Sequence, residues 1–316
     1  MTKQMLAATR ENPAELRGYS TEKKGKNMKH KKGITQTDAI VTILVIIAVV
    51  VTVLVILSFQ MRPTCEKNFQ GLANALMVYA FDYRDEFPVQ GAGTHTWGPT
   101  TTDWDDPAKG WTDPNGTMTI ASSLYLLVRE ADVGPKSFIC RQRNRRTKLK
   151  IRETPFENTT PYDITELWDF GPTPTDHLSY SYQFPYGKHP ATGTTAPGNA
   201  IMADRNPWTD SLLTASDIKK EKLSTFMDRI SLIDFTSTTI WHQQIGNSAA
   251  HDRIGQNVLF GDGHVTLEKR PDVGTKYDNI YTIGGDTESQ RRTGTAPTSK
   301  KIDAANPEDS LLMNDR

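Results

Sequence analysis

The sequence predicts an α+β fold, in which a long N-terminal helix first crosses a membrane and then packs on a small antiparallel β-sheet domain. Residues 39–59 form an apolar run without charge, proline or glycine. Residues 65–83 then place apolar side chains at helical spacing. Several short strand-like segments follow, and two of them flank an Asp-Gly turn, which is a strong hairpin signal.

The apolar run has the length of a membrane-spanning helix, because about twenty residues at about 1.5 Å each match a hydrocarbon core of about 30 Å. A buried core helix would show a polar face, whereas this run offers only Thr42, Thr52 and Ser58. A cleaved secretory signal would have a shorter apolar region that ends in small residues, unlike residues 58–63. We therefore expect a permanent anchor.

Charge is distributed unevenly along the chain, although the formal net charge is zero. Residues 1–33 contain nine Lys or Arg against three Glu, and only Arg62 and Lys67 lie just after the apolar run. The positive-inside rule therefore keeps the N-terminus in the cytoplasm and places the remainder outside.

The predicted helix continues beyond the membrane. Its apolar stripe, at spacings of three and four, consists of Cys65, Phe69, Leu72, Leu76, Tyr79 and Tyr83. Pro63 should bend or loosen this helix, and Phe87-Pro88 should end it. We expect the stripe to pack on the exported domain.

Cys65 and Cys140 both fall on the exported side, where oxidation is possible. They could form a disulfide with each other, or each could be a buried thiol. The sequence leaves both alternatives open.

Residues 89–119 are rich in turn-forming residues and carry Trp97, Trp104 and Trp111. These aromatic side chains could bind sugar rings, but the favoured interpretation is that they pin a long loop to its own domain. Residues 122–130 predict a short helix opened by serine caps, and residues 137–140 predict a strand.

A basic run occupies residues 141–152. It consists of Arg141, Arg143, Arg145, Arg146, Lys148, Lys150 and Arg152, with Leu149 and Ile151 between them. Such a run could bind the phosphates of a nucleic acid. A charge-guarded, solvated edge strand is the favoured interpretation.

The remaining strand predictions are short. They are residues 178–184, 200–203, 238–244, 257–260 and 264–269. Residues 209–237 predict a peripheral helix and loop, and the polar composition of 284–316 predicts a disordered tail.

The start of the apolar helix resembles a type IV prepilin leader, because Lys31-Lys32-Gly33 is followed by Ile34 and, at the fifth position after the glycine, by Asp38. The resemblance implies cleavage between Gly33 and Ile34 by a prepilin peptidase, with methylation of the new N-terminus. The family prefers Phe and Glu where this chain has Ile34 and Asp38. Asp38 would be the assembly carboxylate that meets the N-terminal amine of a neighbouring subunit. A leader of this type could begin at Met1 or at Met28.

Further segments are similar to the prepilin-like proteins abundant in planctomycetes. Residues 65–69 and 79–88 resemble the end of their N-terminal helix, and residues 137–140, 178–183, 203–207 and 278–282 resemble later segments. Their C-terminal signature is a histidine, about nine residues and an Asp-Gly pair. Here ten residues separate His251 from Asp262-Gly263.

This resemblance, which covers most of residues 28–283, implies a pilin-like fold and a non-enzymatic structural subunit, a pilin or pseudopilin linked to type II secretion or a type IV pilus. Its implied partners are the prepilin peptidase, other pilin-like subunits and the assembly machinery, in a homo- or hetero-oligomeric filament. It implies a bacterial protein with a single pass through the inner (cytoplasmic) membrane and its C-terminal domain in the periplasm or at the cell exterior. It implies no cofactor.

The expected organisation has five parts. They are a basic cytoplasmic leader (1–33), a transmembrane helix (34–62), its amphipathic continuation (63–88), an extracytoplasmic β-rich domain (89–283) and a disordered tail (284–316).

Two other classes of function are weighed against this one. An enzyme or metal protein could use His251, Asp262 and His264 if they converged, with calcium near Asp262 as one form. The sequence shows no nucleophile elbow, P-loop or zinc-protease motif, so we expect no catalytic residues and no metal ligands. The alternative is an anchored module that binds DNA or glycans through residues 141–152.

Overall fold

The computed structural model describes residues 35–91, 96–97, 117–140, 146–149, 163–210, 233–234, 243–298 and 302–315. These residues combine helices with a small antiparallel sheet, which confirms the mixed α and β class. The chain divides into two compact units, Met1–Val53 and Leu54–Arg316.

Helix α1 spans Gln36–Asp82 and contributes to both units. Within it, Gln36–Val55 is the one described segment that is long and apolar enough to cross a membrane. The large apolar side chains of this segment are exposed, as an anchor in lipid requires. The expected single apolar span near the N-terminus is therefore present.

The second half of α1 buries the predicted stripe. Cys65, Phe69, Leu72 and Leu76 are almost completely buried. Tyr83 is partly exposed, contrary to the prediction, because α1 ends at Asp82. The chain then takes positive φ at Arg84 and Asp85, and the Asp85 N–H donates to the carbonyl of Ala80. This turn ends the helix earlier than Phe87-Pro88 and turns Phe87 into the core.

Helix α2 spans Ile120–Glu130, but its cap is not a serine. The Thr119 hydroxyl accepts a hydrogen bond from the Ser122 N–H at 2.8 Å, while Ser122 and Ser123 lie inside the helix and are buried. Residues 137–140 are not a strand either. Pro135–Phe138 form a 3₁₀ helix, for which the fixed φ of Pro135 at its first position is suited.

A five-stranded sheet follows, with the order β6-β5-β4-β3-β7 and antiparallel pairing throughout. Its strands are β3 (Tyr180–Gln183), β4 (Ala200–Asp204), β5 (Gln256–Phe260), β6 (Val265–Glu268) and β7 (Leu312–Met313). Strands β1 (Thr96–Trp97) and β2 (Thr117–Met118) precede β3 in the sequence and form a separate two-stranded parallel sheet. Four predicted strands and the β5–β6 hairpin are confirmed. Of the predicted strand 238–244, residues 238–242 lie outside the described residues and 243–244 are helical.

Both faces of the sheet are covered. One face joins α1 and α2 in a large core, in which the Phe69 and Tyr180 rings lie 4.3 Å apart. The other face meets a smaller core that includes Trp208, Ile280 and Tyr281. Burial of an apolar side chain of this size contributes about 1.5–3 kcal/mol.

The C-terminal segment is ordered where it is described, which corrects the predicted disordered tail. Helix α3 spans Glu288–Thr293, and its N-terminus carries a capping box between Thr287 and Gln290. Strand β7 pairs with β3, and Leu311, Leu312 and Met313 are completely buried. The polar composition of residues 284–316 outweighs this short apolar segment, so a prediction from composition misses it. The segment forms β7, the outermost strand of the sheet beside β3.

Asp315 attaches the chain end to α2. Its buried carboxylate accepts hydrogen bonds from the N–H groups of Ile120 at 2.9 Å and Ala121 at 2.8 Å, and from Trp97 Nε1 at 2.8 Å. Arg205 donates to the Asp315 carbonyl at 2.8 Å. A carboxylate at a helix N-terminus also interacts favourably with the helix dipole.

We expect Asp315→Asn to lower the free energy of unfolding by about 1–3 kcal/mol, because an amide cannot accept all three hydrogen bonds. Chemical denaturation of the full chain in detergent measures this change. Asp286→Asn is the matched control, because Asp286 is exposed. An equal effect of the two substitutions would contradict the assigned role.

Candidate functional site

His251, the histidine of the sequence signature, lies in a buried cluster with both cysteines. The Sγ atoms of Cys65 and Cys140 are 2.7 Å apart, and His251 Nε2 lies 3.7 Å from Cys140 Sγ. One ligand atom from each of the three residues lies within 4.8 Å of the other two. The structure therefore brings together the two cysteines that the sequence offered as a disulfide pair.

Three separate segments supply these side chains. Cys65 comes from α1, Cys140 follows the 3₁₀ helix Pro135–Phe138, and His251 lies in the 3₁₀ segment Ala250–Arg253. In that segment His251, Asp252 and Arg253 have φ values of 54°, 57° and 59°. Such conformations are costly for non-glycine residues and often occur at functional sites.

Hydrogen bonds stabilise the strained segment. The Arg253 guanidinium donates to the carbonyls of Asn247 at 2.7 Å and Ile245 at 3.2 Å. The Asn247 side-chain amide donates in return to the Arg253 carbonyl at 2.9 Å. This network fixes the backbone that carries His251.

Asp204, at the end of β4, adds a carboxylate to the cluster. Its Oδ2 lies 3.1 Å from His251 Nε2 and accepts hydrogen bonds from the backbone N–H of Asn257 at 2.7 Å and from its side-chain amide at 3.1 Å. Its Oδ1 is buried without a hydrogen-bond partner among the described residues. Sequence reasoning gave Asp204 no chemical role, although it follows the predicted strand 200–203 directly and lies in the segment 203–207 that resembles prepilin-like proteins.

The pKa of Tyr180 is affected by the burial and the charges of this cluster. Burial raises the pKa of Tyr180 well above its ordinary value, and the potential negative charges of Cys140, Asp204 and Cys65 raise it further. The Asn68 amide donates to the Tyr180 hydroxyl at 3.2 Å and to the Ile139 carbonyl at 3.0 Å. The cluster therefore favours neutral or positive groups over another anion.

The other half of the sequence signature lies elsewhere. Asp262 and Gly263 form the tip of the β5–β6 hairpin, where Gly263 takes φ of 85°. The Asp262 carboxylate accepts the His264 N–H at 3.1 Å and contacts His264 Nδ1, and these interactions lower the pKa of Asp262. Since His251 is buried and separated from the tip by the whole of β5, the structure does not bring His251, Asp262 and His264 together.

The basic run is described only over residues 146–149. Arg146 is buried, and its guanidinium donates to Asp210 Oδ1 at 2.6 Å and to the Thr175 carbonyl at 2.8 Å. Lys148 is exposed. Residues 141–145 and 150–152 lie outside the described residues. Of the three tryptophans, Trp97 is pinned to Asp315, whereas Trp104 and Trp111 lie outside the described residues.

Two buried carboxyl groups face each other at a cavity of about 200 Å³ near the chain end. A Cβ atom on Gly284 would lie 3.0 Å from Asp278 Oδ1 and 3.1 Å from Asp309 Oδ1. Asp278 Oδ2 accepts the Ser310 N–H at 2.8 Å, but its Oδ1 has no hydrogen-bond partner among the described residues. Burial raises the pKa of both carboxyl groups, and the Asp309 charge raises the pKa of Asp278 further.

We expect Asp278→Asn to stabilise the protein by about 1 kcal/mol at about pH 8, because the amide can donate to Asp309 and removes a like charge. Raised carboxyl pKa values mean that the folded state holds protons that the unfolded state has lost. Wild-type stability should therefore fall as pH rises above about 4, the ordinary carboxyl range. The advantage of the variant should shrink towards that pH.

Chemical denaturation of the full chain at several pH values measures this dependence. Asp286→Asn, at the rim of the same cavity, is the control and should leave the pH dependence unchanged. A variant that is less stable than wild type at about pH 8 would argue against repulsion between the two carboxyl groups.

Comparisons with protein-family models, curated proteins and solved structures found no significant match to this chain. The resemblance to prepilin-like proteins therefore rests on the chain's own residues and stays a prediction.

Proposed function

We propose that the chain is a membrane-anchored, non-enzymatic pilin-like or pseudopilin-like subunit. A prepilin peptidase cleaves it between Gly33 and Ile34, and the mature subunit joins type II secretion or a type IV pilus-like assembly. The observation that supports this most strongly is helix α1. It begins at Gln36, shortly after the proposed cleavage site, carries the apolar segment and then supplies a buried stripe to the β-sheet unit.

The start of α1 also fits this proposal. The Thr35 N–H and hydroxyl donate to Asp38 Oδ2 at 3.1 Å and 2.6 Å, and the Asp38 N–H donates to the Thr35 hydroxyl at 3.2 Å. This reciprocal cap makes Thr35 the N-cap and Gln36 the first helical residue, three positions after Gly33. In an assembly, the N-terminal amine of a neighbouring subunit would share the Asp38 carboxylate with Thr35.

A structural role requires no catalytic group in this chain. The described cavities are modest, and two of them are bordered by ion pairs, such as Lys276 with Glu308 and Arg292 with Asp272. For the alternative of DNA or glycan binding through residues 141–152, the described part of the run offers one exposed basic side chain, Lys148, because Arg146 is buried against Asp210.

We expect the protein recovered from its native membrane to begin at Ile34, with a methylated amine. Mass spectrometry of the intact protein and of its N-terminal peptide measures this. Gly33→Val should retain the leader, since the peptidase cuts after that glycine. His30→Val, a change that lies inside the leader whether it begins at Met1 or at Met28, should still yield Ile34 at the N-terminus.

If the wild-type protein keeps residues before Gly33, the processing proposal fails. If Gly33→Val is still cut before Ile34, a peptidase with another specificity is responsible, and the prepilin assignment fails as well.

A further inference from the structure

We propose that Cys65, Cys140 and His251 form a buried site for a divalent transition metal such as zinc, with the Asp204 carboxylate beside it. This inference is independent of the proposed function, because it rests only on the cluster inside the β-sheet unit. Cysteine sulfur, imidazole nitrogen and carboxylate oxygen are the donor atoms that zinc takes in proteins. The structure places Cys65, Cys140 and His251 on separate segments with their ligand atoms within 4.8 Å of one another, and Asp204 Oδ2 lies 3.1 Å from His251 Nε2.

The separation of sulfur and nitrogen in the cluster agrees with a shared metal ion. With zinc bonds of about 2.3 Å to sulfur and about 2.1 Å to nitrogen, a tetrahedral site separates sulfur from nitrogen by about 3.6 Å. The corresponding distance here is 3.7 Å, between Cys140 Sγ and His251 Nε2.

The two sulfurs are the exception. At 2.7 Å they are closer than the separation of about 3.8 Å around one zinc ion, so metal binding requires one thiol to move by about 1 Å. A rotation of one cysteine side chain supplies this movement.

The buried carboxylate of Asp204 favours a metal site over a disulfide at this cluster. A disulfide would use the two sulfurs alone and would leave Asp204 Oδ1 buried without a hydrogen bond, at a cost of about 1–3 kcal/mol. Asn257 already orients the carboxylate through Oδ2, as outer-shell groups orient metal ligands. A divalent cation held by the two cysteines and His251 would offset the negative charge of this buried carboxylate.

Binding has a defined proton balance. Zinc displaces one proton from each of the two thiols and takes the lone pair of a neutral His251 imidazole, so loading the site releases two protons. No electron transfer is involved. Loading would connect α1, through Cys65, to the segment Ala250–Arg253, through His251.

The test uses the full chain, purified in detergent from membranes without chelator. Elemental analysis should give about one zinc ion per chain. His251→Gln should lose the metal on dialysis, whereas His264→Gln, which changes an exposed histidine outside the cluster, should retain it. Cobalt in place of zinc should give thiolate-to-metal charge-transfer absorption, which Cys140→Ser should abolish.

Two outcomes would overturn the proposal. One is a non-reducing digest in which Cys65 and Cys140 are joined in a single cross-linked species while the protein carries no zinc. The other is zinc that persists in His251→Gln at the wild-type level. Because both readings use wild-type protein or the histidine variant, they remain decisive even if Cys140→Ser fails to fold.

Discussion

Burial of one face of α1 is the interaction on which the second unit depends. Phe69, Leu72 and Leu76 contact the same core as α2 and the inner face of the sheet, and Phe69 packs directly on Tyr180 of β3. A sheet this small cannot bury its inner face by itself, so the helix supplies the missing layer. Because α1 also carries the apolar segment, the proposed anchor and the folded unit share one secondary-structure element.

The C-terminal segment completes this arrangement. Strand β7 extends the sheet beyond β3, and Asp315 then caps α2 and binds Trp97. The end of the chain thus joins residues that lie about two hundred positions earlier in the sequence. Contacts of such long range are entropically expensive to form, and the near-complete burial of Leu311, Leu312 and Met313 offsets that cost.

The buried cluster and the hairpin tip give the sequence signature two separate physical roles. Gly263 adopts a backbone conformation that the hairpin turn requires, and Asp262 stabilises that turn through His264. His251 instead lies at the opposite end of β5, in a buried cluster with Cys65 and Cys140. The ten residues between His251 and Asp262 span the strand that separates the two roles. In this chain the spacing between His251 and Asp262 therefore reflects the length of a strand rather than the geometry of one site.

The sequence by itself determined the apolar helix, the buried stripe as far as Tyr79, four of the strands and the Asp-Gly hairpin. These features depend on local periodicity, which is visible in one segment at a time. Only the tertiary structure decided that α1 ends at Asp82, that Pro135–Phe138 form a 3₁₀ helix and that the tail supplies a strand, because packing overrides weak local preferences. The same reason applies to the cluster. Cys65, Cys140, Asp204 and His251 are distant in the sequence, and no local pattern indicates that a helix, a loop and a strand end will bring them together.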